Sequence, residues 1–285
     1  MTGWDREYLK HKQEYLDLFD KSMQKDQEQN VEFLEDKLKL YTGRKYVVAC
    51  QSGTDALHFA LRSLDIKKGD EVMTTQFSWI STASCISMVG ATPVFCEIDA
   101  LTYHMSLDSI KKMYSDKVKA IVYPHLFGYM SETKEIIEFC KEKQIAFIED
   151  AAQSLGASLN GVKAGSIGDI STLSFNANKV IAGIAGGGAI CTDDKEKARM
   201  FKRLRKHGEN KILGYNSKML LMNAEFINFR LNRMKEWQKM RQDIAKQYDE
   251  QLREYVTLQP TTTSLDHNYH KYVIRVQNKR VRDNL

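Results

Sequence analysis

Proline is scarce, with three in 285 residues, and no low-complexity linker or internal repeat interrupts the chain. Composition therefore marks no clean domain boundary. No apolar run approaches the length of a membrane span, and residues 1–12 are charged where a secretory signal needs an apolar core. A spanning segment and a signal peptide are thus excluded at this level, and the chain is expected to be cytoplasmic. Cysteine is limited to Cys50, Cys85, Cys96, Cys140 and Cys191, an odd number, widely spaced and mostly set in apolar runs. Buried free thiols in a reducing compartment are expected. No Cys or His pair has zinc-ligand spacing, so no metal site is expected. Charge of one sign is also lacking: 42 basic and 37 acidic residues are spread along the chain, with local basic excess only at 202–211 and 279–282. Without an accompanying basic-aromatic module this reads as solvated surface and not as a nucleic-acid interface.

What is present is enough apolar material, 42% of residues with 10% aromatic, for one large domain and a smaller one. Residues 5–41 carry a helical pattern interrupted by a polar patch at 24–30, which predicts two helices. From Lys45 onward, short β-branched runs alternate with amphipathic segments, the pattern of a parallel sheet covered by helices. Strands are expected at 46–50, 71–75, 92–98, 120–123, 146–149, 170–175 and 188–192, with helices at 55–64, 80–88 and 132–143. After Lys195 the helices become long and charged, 224–255 most of all, and a weak strand follows at 271–276. The expected division is an N-terminal helical pair with a large α/β domain over 1–210 and a smaller C-terminal domain over 211–285.

In open α/β sheets ligands bind at the carboxyl ends of strands, so those ends are the candidates. The first strand ends in Gln51-Ser52-Gly53-Thr54-Asp55, a helix start whose free N–H groups suit a phosphate, although Ser52 or Thr54 could simply cap the helix. The next delivers Phe77 and Trp79 in a polar loop, as core or as a stacking surface for a flat ligand. His125, in Tyr123-Pro124-His125, reads as a satisfied structural histidine. Asp150 follows a fully apolar strand and needs a cation to offset its burial. Lys179, in Ser174-Phe175-Asn176-Ala177-Asn178-Lys179, precedes the glycine-rich run 183–188. A lysine there is either a solvated charge or a nucleophile. One ligand accounts for a phosphate cradle, a stacking surface, a buried Asp and a Schiff-base lysine together: pyridoxal 5'-phosphate (PLP).

From about Phe33 to Leu285 these blocks resemble, in order and spacing, the DegT/StrS sugar aminotransferases, fold-type I PLP enzymes acting on nucleotide-linked keto-sugars. The blocks are Ser52-Gly53-Thr54-Asp55-Ala56-Leu57, Thr75-Gln76-Phe77-Ser78-Trp79, His125-Leu126-Phe127-Gly128, Glu149-Asp150-Ala151-Ala152-Gln153, Ser174-Phe175 with Lys179, and Gly214-Tyr215-Asn216. The resemblance implies a mixed, mostly parallel sheet flanked by helices and a smaller C-terminal α+β domain. It implies that Lys179 holds PLP as a Schiff base and shuttles the substrate proton, and that Asp150 pairs with the pyridine nitrogen. Trp79 would stack on the ring, Gln153 would contact its phenolic oxygen, and Gly53, Thr54 and Ser174 would bind the phosphate. Asn216 would reach the phosphate of a neighbouring subunit, which implies a homodimer with shared sites. The implied reaction moves an amino group from glutamate to a nucleotide-linked keto-sugar.

Three departures stand out. Ile184-Ala185-Gly186-Gly187-Gly188 lacks the acid of the family's Gly-Glu-Gly-Gly and looks more like the subgroup that aminates C3 of the sugar. Lys218 replaces a frequent arginine, and the two are not equivalent for a bidentate contact. Family chains also continue past the strand at 271–276, so an incomplete small domain is expected here. A truncated, non-catalytic PLP-binding protein is one alternative; a PLP-dependent sugar dehydratase is another, but those relatives carry histidine at the position of Lys179.

Overall fold

The computed structural model describes residues 3–24 and 27–284. The helical pair comprises α1 (Gly3–Gln24) and α2 (Gln27–Thr42), and residues 25 and 26 lie outside the described residues. A seven-stranded sheet follows, interleaved with helices: β1 (Tyr46–Cys50), α3 (Gly53–Arg62), β2 (Glu71–Thr74), α4 (Ile80–Met88), β3 (Thr92–Phe95), α5 (Leu107–Met113), β4 (Val118–Pro124), α6 (Lys134–Lys143) and β5 (Ala146–Asp150). A small hairpin, β6 (Ser158–Leu159) with β7 (Val162–Lys163), precedes β8 (Ile170–Ser174) and β9 (Gly188–Thr192). Beyond the sheet lie α7 (Lys195–Leu204), α8 (Leu221–Leu231), α9 (Met234–Leu252), the two-residue strands β10 (Thr257–Leu258), β11 (Leu265–Asp266) and β12 (Ile274–Arg275), and α10 (Lys279–Asp283).

The large sheet runs β1-β9-β8-β5-β4-β2-β3. Every pairing among β8, β5, β4, β2 and β3 is parallel, whereas β9 is antiparallel to both β1 and β8. The sheet is therefore mixed and mostly parallel, as the family resemblance implies, and β9 is the strand that departs from the parallel pattern. The stretch 224–255 is likewise two helices, α8 and α9, separated at residues 232–233. Of the expected strand at 271–276, only Ile274–Arg275 pairs, with Thr257–Leu258.

Side chains alternate across the sheet, as a pleated strand requires. Val47 and Ala49 point into one core, with Leu34, Leu38, Tyr123, Phe147 and Phe175. Val48 and Cys50 point into the other, with Leu57, Phe59, Leu61, Phe201 and Leu204. Full burial of side chains the size of Leu57, Phe59 and Leu61 stabilises the α3 docking by about 1.5–3 kcal/mol each. All five cysteines are buried and free.

Strand β1 lies at the sheet edge, which leaves outward-facing backbone groups to be satisfied. Glu35 Oε1, on α2, accepts the Ala49 N–H at 2.9 Å, and Arg205 Nη1 donates to Ala49 O at 2.7 Å and to Glu35 Oε1 at 2.6 Å. Glu35 is buried, so removing it strands both a guanidinium and a backbone donor. Glu35→Ala is expected to lower the unfolding free energy by about 3 kcal/mol in urea titrations. A loss below about 1 kcal/mol would show that water replaces the carboxylate without penalty.

Candidate active site

Because β1, β4, β5 and β8 run parallel, Cys50, Pro124, Asp150 and Ser174 end at one edge of the sheet. β9 runs the other way and so begins at that edge, which carries the glycine run into the same place. The result is a cavity of about 430 Å³. Its size falls within the roughly 300–1,000 Å³ usual for small-molecule sites. Of the residues singled out from the sequence, Gly53, Thr54, Trp79, Asp150, Gln153, Ser174 and Lys179 all line it. Asn216 does not: it is exposed, on a loop that bridges to Lys206.

Helix α3 opens onto the cavity. Ser52 caps it, its Oγ accepting the Asp55 N–H at 3.0 Å while its carbonyl accepts Ala56 N–H at 3.1 Å. Ser174 on β8 closes up against this turn, so that a Cβ on Gly53 would stand 2.7 Å from Ser174 Cβ. Glycine is required here for a close approach. Thr54 Oγ1 lies 2.9 Å from Ser81 Oγ, which adds hydroxyls from α4 to the same wall. The loop that carries Asn216 is tied to this turn too: Ser217 Oγ donates to Asp55 Oδ2 at 2.6 Å and Gln51 N–H to Ser217 O at 3.0 Å.

Asp150 is buried at the cavity floor. Its Oδ1 accepts the Ala152 N–H at 3.1 Å and its Oδ2 the Thr82 hydroxyl at 3.3 Å. Burial pushes its carboxyl above the usual range, and the Ala152 N–H, the charge of Lys179 and the Thr82 hydroxyl pull back. Lys179 shows the converse: burial lowers its amine below the usual lysine value, Asp150 opposes, and Lys271 adds a further depression. The two groups thus meet in the arrangement a reactive amine needs, partly desolvated with a balancing anion.

Trp79 precedes α4 and lines the cavity while remaining 68% exposed, an aromatic face open to a flat ligand. Phe77 instead packs near Tyr103 and Phe127, with ring centroids 5.8 and 6.1 Å away, outside the lining. His125 is fully buried, but neither ring nitrogen has a hydrogen-bond partner among the described residues, so the expected satisfied histidine is not found. Its Nε2 approaches Glu149 Oε1 at 3.5 Å. Burial pushes His125 well below its ordinary value, with His104 adding to this, and raises Glu149 to about 7 despite N–H bonds from Gly165 and Ile167. The contact is therefore no full ion pair.

Two cavity residues, His270 and Lys271, escaped the sequence reading. They belong to the run His267-Asn268-Tyr269-His270-Lys271, whose density of polar rings just before a weak strand was the available signal. Among the described residues, no group of His, Cys, Asp and Glu could hold a metal ion, and no helix is long and apolar enough to cross a membrane.

The cavity fits PLP on its own terms: a glycine-enforced helix N-terminus with hydroxyls for a phosphate, a buried carboxyl for a ring nitrogen, an exposed tryptophan face, and a partly desolvated lysine. Comparisons with known proteins agree. Residues 8–285 match the model of the DegT/DnrJ/EryC1/StrS aminotransferase family. The chain is 35% identical over 254 residues to a Geobacillus stearothermophilus protein named pleiotropic regulatory protein, covering 86% of this chain and 68% of that one. It is 34% identical over 249 residues to the UDP-N-acetyl-3-dehydro-alpha-D-glucosamine 3-aminotransferase of Acidithiobacillus ferrooxidans, covering 85% and 68%. NtdA from Bacillus subtilis, solved with the bound cofactor PMP, superposes with a TM-score of 0.82 at 29% identity, covering 89% of this chain and 60% of NtdA.

The raised carboxyl of Asp150 gives a stability test. A buried acid with an elevated folded-state pKa stabilises the protein below its unfolded pKa and loses that contribution as pH rises through the folded value. Asp150→Asn should therefore raise the melting temperature of the cofactor-free protein at neutral pH, with the gain vanishing in acid. Melting curves across pH check this, and an Asn variant less stable than wild type at neutral pH would contradict it.

Proposed function

The chain belongs to the DegT/DnrJ/EryC1/StrS aminotransferase family, and from that premise we propose that it transfers an amino group from glutamate to C3 of a nucleotide-linked keto-sugar in the cytoplasm. The observation that carries this reading is the meeting of Lys179 and Asp150 in one cavity beside the start of α3. Amination at C3 is supported by the name of the Acidithiobacillus relative. An acidic amino donor is supported by the cation of Lys271 in the cavity wall.

PLP, the cofactor of this family, supplies an electron-accepting ring that stabilises negative charge on the carbon bearing the amino group. Lys179 Nζ is the amine proposed to hold the cofactor's aldehyde carbon and then to move the proton at the donor's Cα. Its lowered proton affinity leaves more of the amine in the unprotonated form that can accept a proton. Asp150, steadied by Thr82 and the Ala152 N–H, would face the ring nitrogen and keep it protonated. Trp79 would cover one ring face and exclude water. Gln153 would meet the phenolic oxygen: its Oε1 already accepts the Phe127 N–H at 2.9 Å, which leaves its amide N–H groups as the donors. Gly53, Thr54 and Ser174 would hold the phosphate.

A second copy of the chain would bring its own Asn216 to that phosphate, which makes a homodimer part of the proposal. So is the division into 1–210, which carries the sheet and Lys179, and 211–285, which supplies Asn216, His270 and Lys271.

Purified protein with PLP, glutamate and a panel of keto-sugar nucleotides, read by mass, is expected to yield one aminated product. Lys179→Ala should lower turnover by at least about 10³-fold, and Asp150→Asn by about 10²-fold. Wild-type protein that retains no PLP on Lys179, or a Lys179→Ala variant of full activity, would sink the reading.

A further inference from the structure

Residues 267–271 form a strap from the C-terminal part of the chain that brings His270 and Lys271 into the cavity wall. Its backbone is held tightly. Asn268, fully buried, donates from Nδ2 to Gln153 O at 3.1 Å and to Leu155 O at 2.9 Å, and its Oδ1 accepts the His270 N–H at 2.8 Å. Asn268 N–H bonds Gly128 O and Lys271 N–H bonds Phe127 O. Gly128 has φ +91°, and a Cβ there would stand 1.7 Å from Asn268 Oδ1, so only glycine lets the strap seat.

The seated strap places the His270 ring between two oxygens. Nε2 lies 3.0 Å from the carbonyl oxygen of Asn178, the residue before Lys179, and Nδ1 lies 3.2 Å from Gln153 Oε1. Both are acceptors, because the Phe127 backbone N–H, which can only donate, already fixes the oxygen of the Gln153 amide on that side. Burial and the charges of Lys179, Lys271 and Arg241 push the imidazole down to about 4, against the pull of the Asn178 carbonyl. The neutral ring has one N–H, and the shorter contact, to a carbonyl oxygen that can only accept, places it on Nε2. Locally the lysine turn is closed by Lys179 N–H to Asn176 O at 2.9 Å and by Asn178 N–H to Asn176 Oδ1 at 3.3 Å. His270 adds a tie from a segment 92 residues away in sequence.

We propose that His270 is a positioning residue for Lys179: its Nε2–H holds the Asn178 carbonyl and so sets where the Lys179 amine stands relative to Asp150 and Gln153. The inference rests on Lys179 being the reacting amine. Small displacements of a reacting group are costly, about 10²-fold for 1 Å. The strap thereby couples the C-terminal part of the chain to the chemistry without touching the reacting atoms.

Substitutions separate the two ring nitrogens, because a glutamine amide nitrogen falls near the place of Nε2 and an asparagine amide nitrogen near that of Nδ1. With PLP-loaded protein and glutamate alone, His270→Ala is expected to slow the first half of the reaction by about 10- to 100-fold. His270→Gln should recover most of that rate, and His270→Asn should not. In cofactor-free protein, the pH midpoint for acetylation of Lys179, read by mass, should move in His270→Ala and return towards wild type in His270→Gln. Melting curves establish that the variants are folded, and the Gln and Asn pair decides the matter if the Ala variant is not. A rate and a midpoint unchanged in His270→Ala, or recovery by Asn in place of Gln, overturns the proposal. Wild-type protein that does not attach PLP at Lys179 overturns the proposed function as well, a result distinguishable from failure of the His270 role alone.

Discussion

Strand β9 enters the sheet against the direction of both its neighbours, and its first residue, Gly188, lies so close to the turn at Ser52 that a Cβ would stand 2.2 Å from the Ser52 carbonyl oxygen. Gly187, at φ +125°, makes the bend into the strand. This close approach holds the cavity-forming edge together. It ties the β1 end, and with it the start of α3, to the β8 end and the Lys179 turn, which is why phosphate-type donors and the lysine share one cavity. A side chain at Gly188 would force the two apart, since the obstructing atoms are backbone and cannot swing away.

The site built on that edge is electrostatically uncomfortable without its ligand. Asp150 is buried with two hydrogen bonds at 3.1 and 3.3 Å, and Lys179 is desolvated opposite it. Beneath them His125 and Glu149 are fully buried and driven towards their neutral forms. A core of hydrophobic residues in these places would be more stable. The strain is local because the surrounding sheet is over-determined: two apolar layers clamp it, and its edge is closed by Glu35 and Arg205. A ligand bringing a protonated ring nitrogen and an anionic phosphate would bring opposite charge to this buried site and so stabilise the folded state.

Much of this was legible in the sequence. The runs separated by helical spacers from β2 to β5 stand in parallel order, and α4 occupies Ile80–Met88, the residues its pattern picks out. Asp150 and Ser174 could be placed at strand ends because a parallel sheet puts chemistry there. His270 and Lys271 were not legible, since their role depends on a strap seated by Asn268 against Gly128, a contact between segments about 140 residues apart that leaves no periodic trace. The antiparallel sense of β9 was hidden for a similar reason. A five-residue buried strand looks the same in either direction, and only the length and path of the preceding glycine loop decide it.

The sequence by itself determined which residues could do chemistry and in what order they occur: a lysine after a buried strand, an aspartate at the end of another, a capped glycine turn at a third. These are local properties, written in hydrophobic period and turn chemistry, and they survive without knowledge of neighbours. Tertiary structure alone decided that Lys179 and Asp150 line one cavity, that Asn216 lies outside its own chain's cavity, and that His270 reaches the lysine turn. Such distances depend on strand order and on close backbone approach, which arise only when the whole sheet has packed.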